Sequence, residues 1–534
     1  MRLLFKIFIV GILFTSCSGA NKQAKVIPAD ADFVGIVDLP KIGVKSKMYA
    51  NKSFAMFDVL SESLDNETFS ILVNGILRDR NESGISTTSP LYFYLMSEQS
   101  YGAVVVSLSS NTKFADYLEL HLSDEFTKEE KKDVVLYTDE RNEVIAFNSK
   151  TACFIQLQGV YSTDFIASLF ALETEKSIVS HDACMSFLNK NHDISMFVQS
   201  ENLFNLAGKS EVEKSINMWG GDITLEELRD SYMSFALSFN KKSIALTTEF
   251  LANESLAKKL REQNITKTSI SKDILKYVPE STLIFSHATF DTQKLRTVFE
   301  AIDYKNMIQN IALLNGTSIE AILSEFAGDV IFSLHDVVNE GGKYTTTMFS
   351  GVDSNGYPVF TDTVLYKQKM TPKMSLVLKL VQKEQLQKLF DQFSATVLSK
   401  TDTYYKLSEK LIYGYDVYLA FEKNMFIITT DKDVVTQAAE GGYKNSIASN
   451  PITKNITPSG YMYVNLDYET YPDEIQYVVE KMGVQAFVSN FSLINSLEIF
   501  SKKEFSGTIQ LNLKQGGDNS LYQVLTAIDN FSGL

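Results

Sequence analysis

The sequence has few of the residues that build metal, redox or nucleophilic sites. Its 534 residues include only five histidines, three cysteines and one tryptophan. It contains no P-loop, no dinucleotide-binding G-x-G-x-x-G, no H-E-x-x-H, no G-x-S-x-G and no C-x-x-C, and each of these chemistries needs its residues at a fixed spacing. The sequence therefore predicts no catalytic residue, no metal ligand and no cofactor.

The histidines do not form a convincing metal site. His181, His192 and His335 are each followed by Asp, but a metal-dependent HD site needs further His and Asp residues on converging helices. His335 ends a predicted strand and His192 precedes one, so we expect both to face solvent. His287 and His335 lie on strands of the same half, and two imidazoles alone are too few ligands for zinc.

No apolar run is long enough to span a bilayer as a helix, which takes about 18 or more residues. The leader "MRLLFKIFIVGILFTSCSGA" instead has two cations, a short apolar run and small residues before Cys17. This pattern is typical of a signal peptide over residues 1–16 that ends at a lipidated cysteine. Ordinary cleavage nearby, with Cys17 left free or discarded, is the alternative.

The segment that follows predicts where the protein is held. Residues 17–26 form the lipidated Cys17 and a polar tether, which would keep the folded part close to a membrane. The leader resembles those of bacterial lipoproteins, in which acidic residues after the cysteine favour export to the cell surface. No acidic run follows Cys17, so the resemblance implies the periplasmic side of the outer membrane.

Cys153 and Cys184 are the only cysteines beyond the leader. An oxidising periplasm permits a disulfide between them. A buried, unpaired thiol at Cys153, in the apolar run "TACFIQL", is an equally good interpretation, and the spacing does not decide between the two.

The charge balance disfavours nucleic acid as a partner. The net charge is −15, and no cluster of Lys or Arg offsets it. Such a surface repels phosphate backbones. The expected partners are the membrane, through the lipid anchor, and a protein or a glycan.

The most informative pattern is a repeat. "IPADADFVGIVDL" begins at Ile27 and "VPESTLIFSHATF" begins at Val278. In each half a β run and an amphipathic helix recur in the same order: "GAVVVSL" precedes "NTKFADYLELH", and "SLVLKLV" precedes "KEQLQKLFDQF". We expect two duplicated domains, residues 27–260 and 278–534. The second half carries an insertion, "NEGGKYTTTMFSGVDSNGYPVF", which is expected to be a solvated loop or hairpin.

The strands alternate apolar and polar residues, which is typical of antiparallel sheets with one buried face. The predicted fold class is therefore α+β, in which two tandem, internally duplicated domains of mainly antiparallel sheet pack helices on one face.

Three phrases and the leader resemble a known group of proteins. "IPADADFVGIVDL", "GISTTSPLYFYL" at 84–95 and "SEFAGDVIFSLHD" at 324–336, together with the lipobox-like leader, resemble a family of large Bacteroidetes envelope lipoproteins known only as a domain of unknown function. The resemblance implies location in the envelope of a diderm bacterium. It implies no activity and transfers no catalytic residue.

These observations favour a non-enzymatic binding or scaffold module anchored near the outer membrane. A hydrolase acting on envelope or dietary polymers is one alternative, and it would need a cleft with two convergent carboxylates or a His-centred site. A carrier of a hydrophobic ligand is another, and it would need a large apolar cavity.

Overall fold

A computed structural model gives the fold of the chain. It describes residues 23–532 apart from 51–53, 55–65, 160, 203–222, 225, 265, 268, 293, 295–318, 340–342, 353–356, 367–369, 395–397, 408–414, 458, 482–491 and 515–516. The chain divides into two compact units. Unit 1 comprises residues up to 262 together with 505–534, and unit 2 comprises residues 263–504.

Strands are numbered along the chain. Those of unit 1 are β1 Phe33–Val37, β2 Leu91–Met96, β3 Tyr101–Ser107, β4 Thr127–Lys131, β5 Val134–Thr138, β6 Glu143–Phe147, β7 Thr151–Leu157, β8 Ile194–Gln199, β9 Tyr232–Phe239, β10 Ser243–Leu251 and, near the C-terminus, β22 Ser506–Leu513. Those of unit 2 are β11 Ile284–Thr289, β12 Phe326–Asn339, β13 Lys343–Val352, β14 Pro358–Tyr366, β15 Met370–Leu380, β16 Leu398–Lys400, β17 Tyr405–Leu407, β18 Val417–Glu422, β19 Met425–Thr429, β20 Tyr461–Asn465 and β21 Ile494–Phe500.

The α-helices are numbered in the same way. They are α1 Leu39–Ser46, α2 Glu67–Leu77, α3 Asn111–His121, α4 Thr163–Leu169, α5 Asp182–Leu188, α6 Glu254–Gln263, α7 Ile319–Leu323, α8 Glu384–Phe393, α9 Lys432–Ala439, α10 Asp473–Lys481 and α11 Ser520–Ser532.

The unit 1 sheet is antiparallel throughout the described pairings. Its order is β4-β5-β6-β7-β3-β2-β1-β8-β9-β10-β22. The central strands β2 and β3 are buried on both faces, because alternate residues such as Phe93 and Tyr94 enter two different cores. Helices α1, α2, α3 and α11 contribute to the first core, and α4 and α5 contribute to the second. In this unit helices therefore cover both faces, which differs from the single covered face that we expected.

The unit 2 sheet is also antiparallel in its described pairings. Its order is β16-β17-β18-β19-β15-β12-β11-β20-β21. The mixed α+β class with mainly antiparallel sheet is thus confirmed. The predicted insertion forms β13 and β14, which pair with each other as a separate two-stranded ribbon.

The two units share a strand order. When the ribbon is set aside, the nine strands β1–β9 and the nine strands β11, β12 and β15–β21 take the same positions in their sheets. This order agrees with the pattern expected of a repeat, and an origin by duplication stays a prediction.

The C-terminal segment belongs to unit 1, whereas the sequence boundaries place it in the second domain. Strand β22 pairs with β10 from Ser243↔Asn512 to Glu249↔Ser506. Helix α11 then buries Leu521 and Leu525 in the first core of unit 1. Unit 2 is therefore inserted in the sequence between two neighbouring strands of unit 1.

Candidate functional site

A polar cleft lies in unit 1 and has a volume of about 360 Å³. It is formed by one face of α2, one face of α3 and the turn between β5 and β6. The residues that line it are Glu67, Ser70, Ile71, Asn74, Tyr117, His121 and Arg141.

Helix α2 presents its polar residues on one side. Asn66 caps the helix, since its side chain accepts a hydrogen bond from the amide of Phe69 at 2.9 Å. Positions 67, 70, 71 and 74 are three or four residues apart, so they lie on the face that lines the cleft. The opposite face carries Phe69, Leu72 and Ile76, which are buried in the core. Core packing thus fixes the orientation of the polar face.

Helix α3 contributes an aromatic pair. Tyr117 and His121 are one turn apart, and their ring centroids lie 4.4 Å from each other. The Tyr117 hydroxyl donates to Asp79 at 2.9 Å. Burial raises the pKa of Tyr117, and the hydrogen bond to Asp79 raises it further, so the phenol stays neutral. Ser110 caps this helix by accepting from the amide of Lys113, as expected of a serine at this position.

Arg141 connects three carboxylates. Its Nε lies 2.8 Å from Asp139 Oδ2, and its Nη2 lies 3.3 Å from Glu125 Oε2 and 3.5 Å from Glu67 Oε2. The hydrogen bond to Asp139 raises the pKa of Arg141. The Asp139 side chain is only 1% exposed and also accepts from the amides of Arg141 and Glu143. The guanidinium is therefore held firmly by a buried, fully engaged carboxylate.

The Glu67 side chain is also fixed by hydrogen bonds, like that of its partner Arg141. Its carboxylate accepts from the amide of Ser123 at 2.7 Å and from the Ser123 hydroxyl at 3.1 Å. The next residue, Thr68, donates to the buried Glu143 at 2.6 Å through its hydroxyl. These bonds fix the first turn of α2 before any ligand arrives, so the cleft is pre-organised.

The cleft can recognise a neutral, hydroxyl-rich molecule. The guanidinium of Arg141 is offset by three carboxylates, which disfavours an anionic ligand, and the hydroxyl, amide and imidazole groups both donate and accept hydrogen bonds. The exposed imidazole ring of His121 offers a flat contact beside them, whereas the ring of Tyr117 is almost fully buried. Only Ile71 of the seven lining residues is purely aliphatic.

The prediction that His335 faces solvent is wrong. His335 is buried within β12, and its Nε2 lies 3.0 Å from Asp431 Oδ2. Burial raises the pKa of Asp431, but the contacts with His335 and Lys373 and the Asp433 amide outweigh burial and lower it. The ring therefore lies in a largely buried polar cluster with Asp431 and Lys373. His192 is half-buried beside β8, and desolvation lowers its pKa.

A second buried cluster surrounds His287 on β11. The Nε2 atom of His287 lies 3.8 Å from Asp329 Oδ1, and Lys267 Nζ lies 3.3 Å from Asp329 Oδ2. Burial alone would raise the pKa of Asp329. The His287 ring, the Ser271 amide and Lys267 favour the charged carboxylate and lower its pKa to about 2.

Ser333, His335 and Asp431 have the residue types of a nucleophilic triad. The Ser333 hydroxyl and His335 Nδ1 both have no hydrogen-bond partner in the described part of the chain. Both side chains are nevertheless buried, so a substrate has no access to them. We interpret this group as part of the unit 2 core.

The three cysteines have different outcomes. Cys153 and Cys184 are both free thiols, buried in the second core of unit 1, so the structure has no disulfide between them. Burial raises the pKa of each thiol, which makes both unreactive. Cys17 and the predicted signal peptide lie outside the described residues.

Two segments, 404–418 and 461–477, are rich in tyrosine. Tyr405, Tyr418 and Tyr461 are buried, whereas Tyr477 is exposed. Tyr413 lies outside the described residues. The buried members pack against neighbouring strands, as is typical of tyrosine on sheet surfaces that are partly exposed to water.

The described residues hold neither a group of metal ligands nor a helix able to cross a membrane. In that part of the chain no three His, Cys, Asp or Glu residues are grouped closely enough to hold a metal ion. No helix of the described part has the length and apolar character needed to cross a membrane.

The chain is similar to solved structures of TP0453 and to one family model. Crystal form III of TP0453 is 10% identical, covers 47% of this chain and 89% of its own, and has a TM-score of 0.28. Crystal form I of TP0453 is 11% identical, covers 46% and 88%, and has a TM-score of 0.28. Likeness at this level carries no argument about function, and no curated protein matches the chain. A family model described as a domain of unknown function (DUF4836) matches residues 23–521, and this chain belongs to that family.

Proposed function

We propose that the protein is a lipid-anchored envelope protein that binds a hydroxyl-rich ligand of the glycan class in the unit 1 cleft. The observation that carries the binding role is the pre-organised polar cleft lined by Glu67, Tyr117, His121 and Arg141. The fixed guanidinium and carboxylate favour a ligand with paired hydroxyls, because both groups form charge-assisted hydrogen bonds. The role needs no cofactor.

Replacing Arg141 with Ala is expected to weaken glycan binding by about tenfold to a hundredfold, because hydrogen bonds to a charged group contribute roughly 1.5–3 kcal/mol. Glu67→Gln should weaken it less, because the amide keeps one acceptor. Isothermal titration calorimetry against a panel of soluble oligosaccharides, chosen by a glycan-array screen, measures both effects.

The matched control is Lys176→Ala. Lys176 lies in unit 1 and pairs with Glu173, and both side chains are well exposed and lie outside the cleft. This variant should bind as the unchanged chain does. Binding that survives Arg141→Ala, or an array with no hit, would rule out the proposed cleft function.

A hydrolase is the second candidate, and one observation favours it. Glu67 and Glu125 converge on the same nitrogen of Arg141, and paired carboxylates are the usual catalytic groups of glycoside hydrolysis. New reducing ends released from a bound glycan, and lost in both Glu67→Gln and Glu125→Gln, would establish this activity.

The third hypothesis, a carrier of a hydrophobic ligand, gains no support from a cleft with so polar a lining.

The anchoring part of the proposal rests on the leader and Cys17. Cys17→Ser is expected to move the protein from the membrane fraction to the soluble fraction and to abolish palmitate labelling, because acyl chains supply the membrane affinity. Fractionation and metabolic labelling measure this. We place the protein on the periplasmic side of the outer membrane, and unchanged fractionation of the variant would end the lipoprotein assignment.

A further inference from the structure

The ribbon β13–β14 differs from every other described strand pair of unit 2. Its two strands pair with each other from Lys343↔Tyr366 to Val352↔Pro358, and among the described strands they pair with no other. A two-stranded ribbon is only marginally stable in water unless a further strand or a packed layer supports it. Each strand of the ribbon therefore has an outer edge that another strand could join.

The ribbon also exposes large apolar side chains, and those of the neighbours Val359 and Phe360 lie on opposite faces of β14. Met348 is 48% exposed, Val359 40%, Phe360 60% and Tyr357 69%. Exposed apolar side chains on so small an element are typical of a surface that is covered when the protein associates.

The two edges of the ribbon are not equivalent. Strand β14 begins with Pro358, which lacks an amide donor, and carries Asp362 at its centre. Proline and charge on an edge strand both oppose pairing with another chain. Strand β13 has one charged residue, Lys343 at its first position, and has neither charge nor proline from 344 to 352. Only the β13 edge is unprotected.

We propose that the β13 edge pairs antiparallel with β13 of a second copy of this chain, which gives a four-stranded sheet across a two-fold axis. Under this symmetry each residue meets a residue of the same strand. The two Lys343 residues are then at opposite ends of the paired strands. The same operation on β14 would place Asp362 against Asp362, which is unfavourable.

The charge of the chain also favours contact between two copies at the β13 edge. The chain carries a net charge of −15, so two copies repel each other over most of their surfaces. The β13 edge has no acidic residue and thus lets two copies meet without like charges in contact.

Met348→Asp tests the proposal. It places a charge at the middle of the β13 edge, where the two copies of the strand would bring the new carboxylates close together. We expect sedimentation velocity of the full chain to show a concentration-dependent dimer, and we expect Met348→Asp to raise its dissociation constant about tenfold or more.

The matched control is Thr361→Asp. Thr361 lies directly opposite Met348 in the ribbon but on the protected strand, so this variant should change the dissociation constant by less than about twofold. As a second measurement, Met348→Cys in a Cys17→Ser background should form a disulfide-linked dimer on mild oxidation, and Thr361→Cys should not. A chain that stays monomeric at all concentrations, or two aspartate variants with equal effects, would overturn the proposal.

Discussion

A chain that ends at Glu504 is expected to lose the folded state of unit 1. The truncation removes β22, the partner of β10 over seven residue pairs, and removes Leu521 and Leu525 from the first core. Each buried leucine contributes about 2–5 kcal/mol, while a whole domain is stable by only about 5–15 kcal/mol. Limited proteolysis and calorimetry should show unit 1 unfolded or aggregated.

Single substitutions in α11 test the same contribution with smaller losses of stability. Leu525 is 2% exposed and Ile528, less than one turn away, is 37% exposed. Leu525→Ala should lower the free energy of unfolding by about 2–5 kcal/mol, and Ile528→Ala should lower it by less than about 1 kcal/mol. If both variants unfolded at the same denaturant concentration as the unchanged chain, α11 would have no part in the core.

Replacing Asp329 with Asn is expected to destabilise unit 2 by about 2–3 kcal/mol at neutral pH. The amide is neutral, so Lys267 and His287 lose the charged acceptor between them. Because the folded pKa of Asp329 is about 2 and its ordinary value is 3.8, its contribution is fully present above pH 3.8. That contribution is lost as the pH falls toward 2.

Urea unfolding at pH 7 and at pH 2 measures this effect. The difference between Asp329→Asn and the unchanged chain should be large at pH 7 and small at pH 2. The control is Asp273→Asn, which removes an exposed pair with Lys379 and should cost less than about 1 kcal/mol. A loss of stability that is the same at both pH values would mean that the charge of Asp329 is not what stabilises the unit.

Local sequence patterns predicted the strands and helices, but they did not predict which strands and side chains pair with each other. The short β-branched and apolar runs "GAVVVSL" and "SLVLKLV" indicated strands, and these became β3 and β15, at equivalent positions in the two sheets. Helices α3 and α8 follow them as expected. The insertion rich in Gly, Thr and Asn became the ribbon. In each of these cases the signal lies within one short stretch of sequence.

The features that sequence reasoning missed depend on contacts between distant residues. Nothing within "GTIQLNL" indicates that its partner is β10 rather than a strand of its own half. His335 was expected in solvent because it ends a predicted strand. The strand in fact continues to Asn339, and the partner of His335, Asp431, lies 96 residues further along the chain.

The cleft was missed for the same reason, since Arg141 lies 74 residues from Glu67. One local signal was present. Glu67, Ser70 and Asn74 form a polar stripe on an otherwise apolar helix that follows a capping Asn66. That stripe could have marked α2 as a helix with a functional face.

The interrupted course of unit 1 also has a consequence for biosynthesis. Strand β10 ends at Leu251, and β22 begins at Ser506. At about 5–20 residues per second, a ribosome delivers the missing strand roughly 10–50 s after β10 has emerged. During that interval the nascent chain carries an open β edge at β10 and an incomplete core. We expect a holding chaperone to bind this intermediate. Unit 1, which is synthesised first, thus completes its fold last.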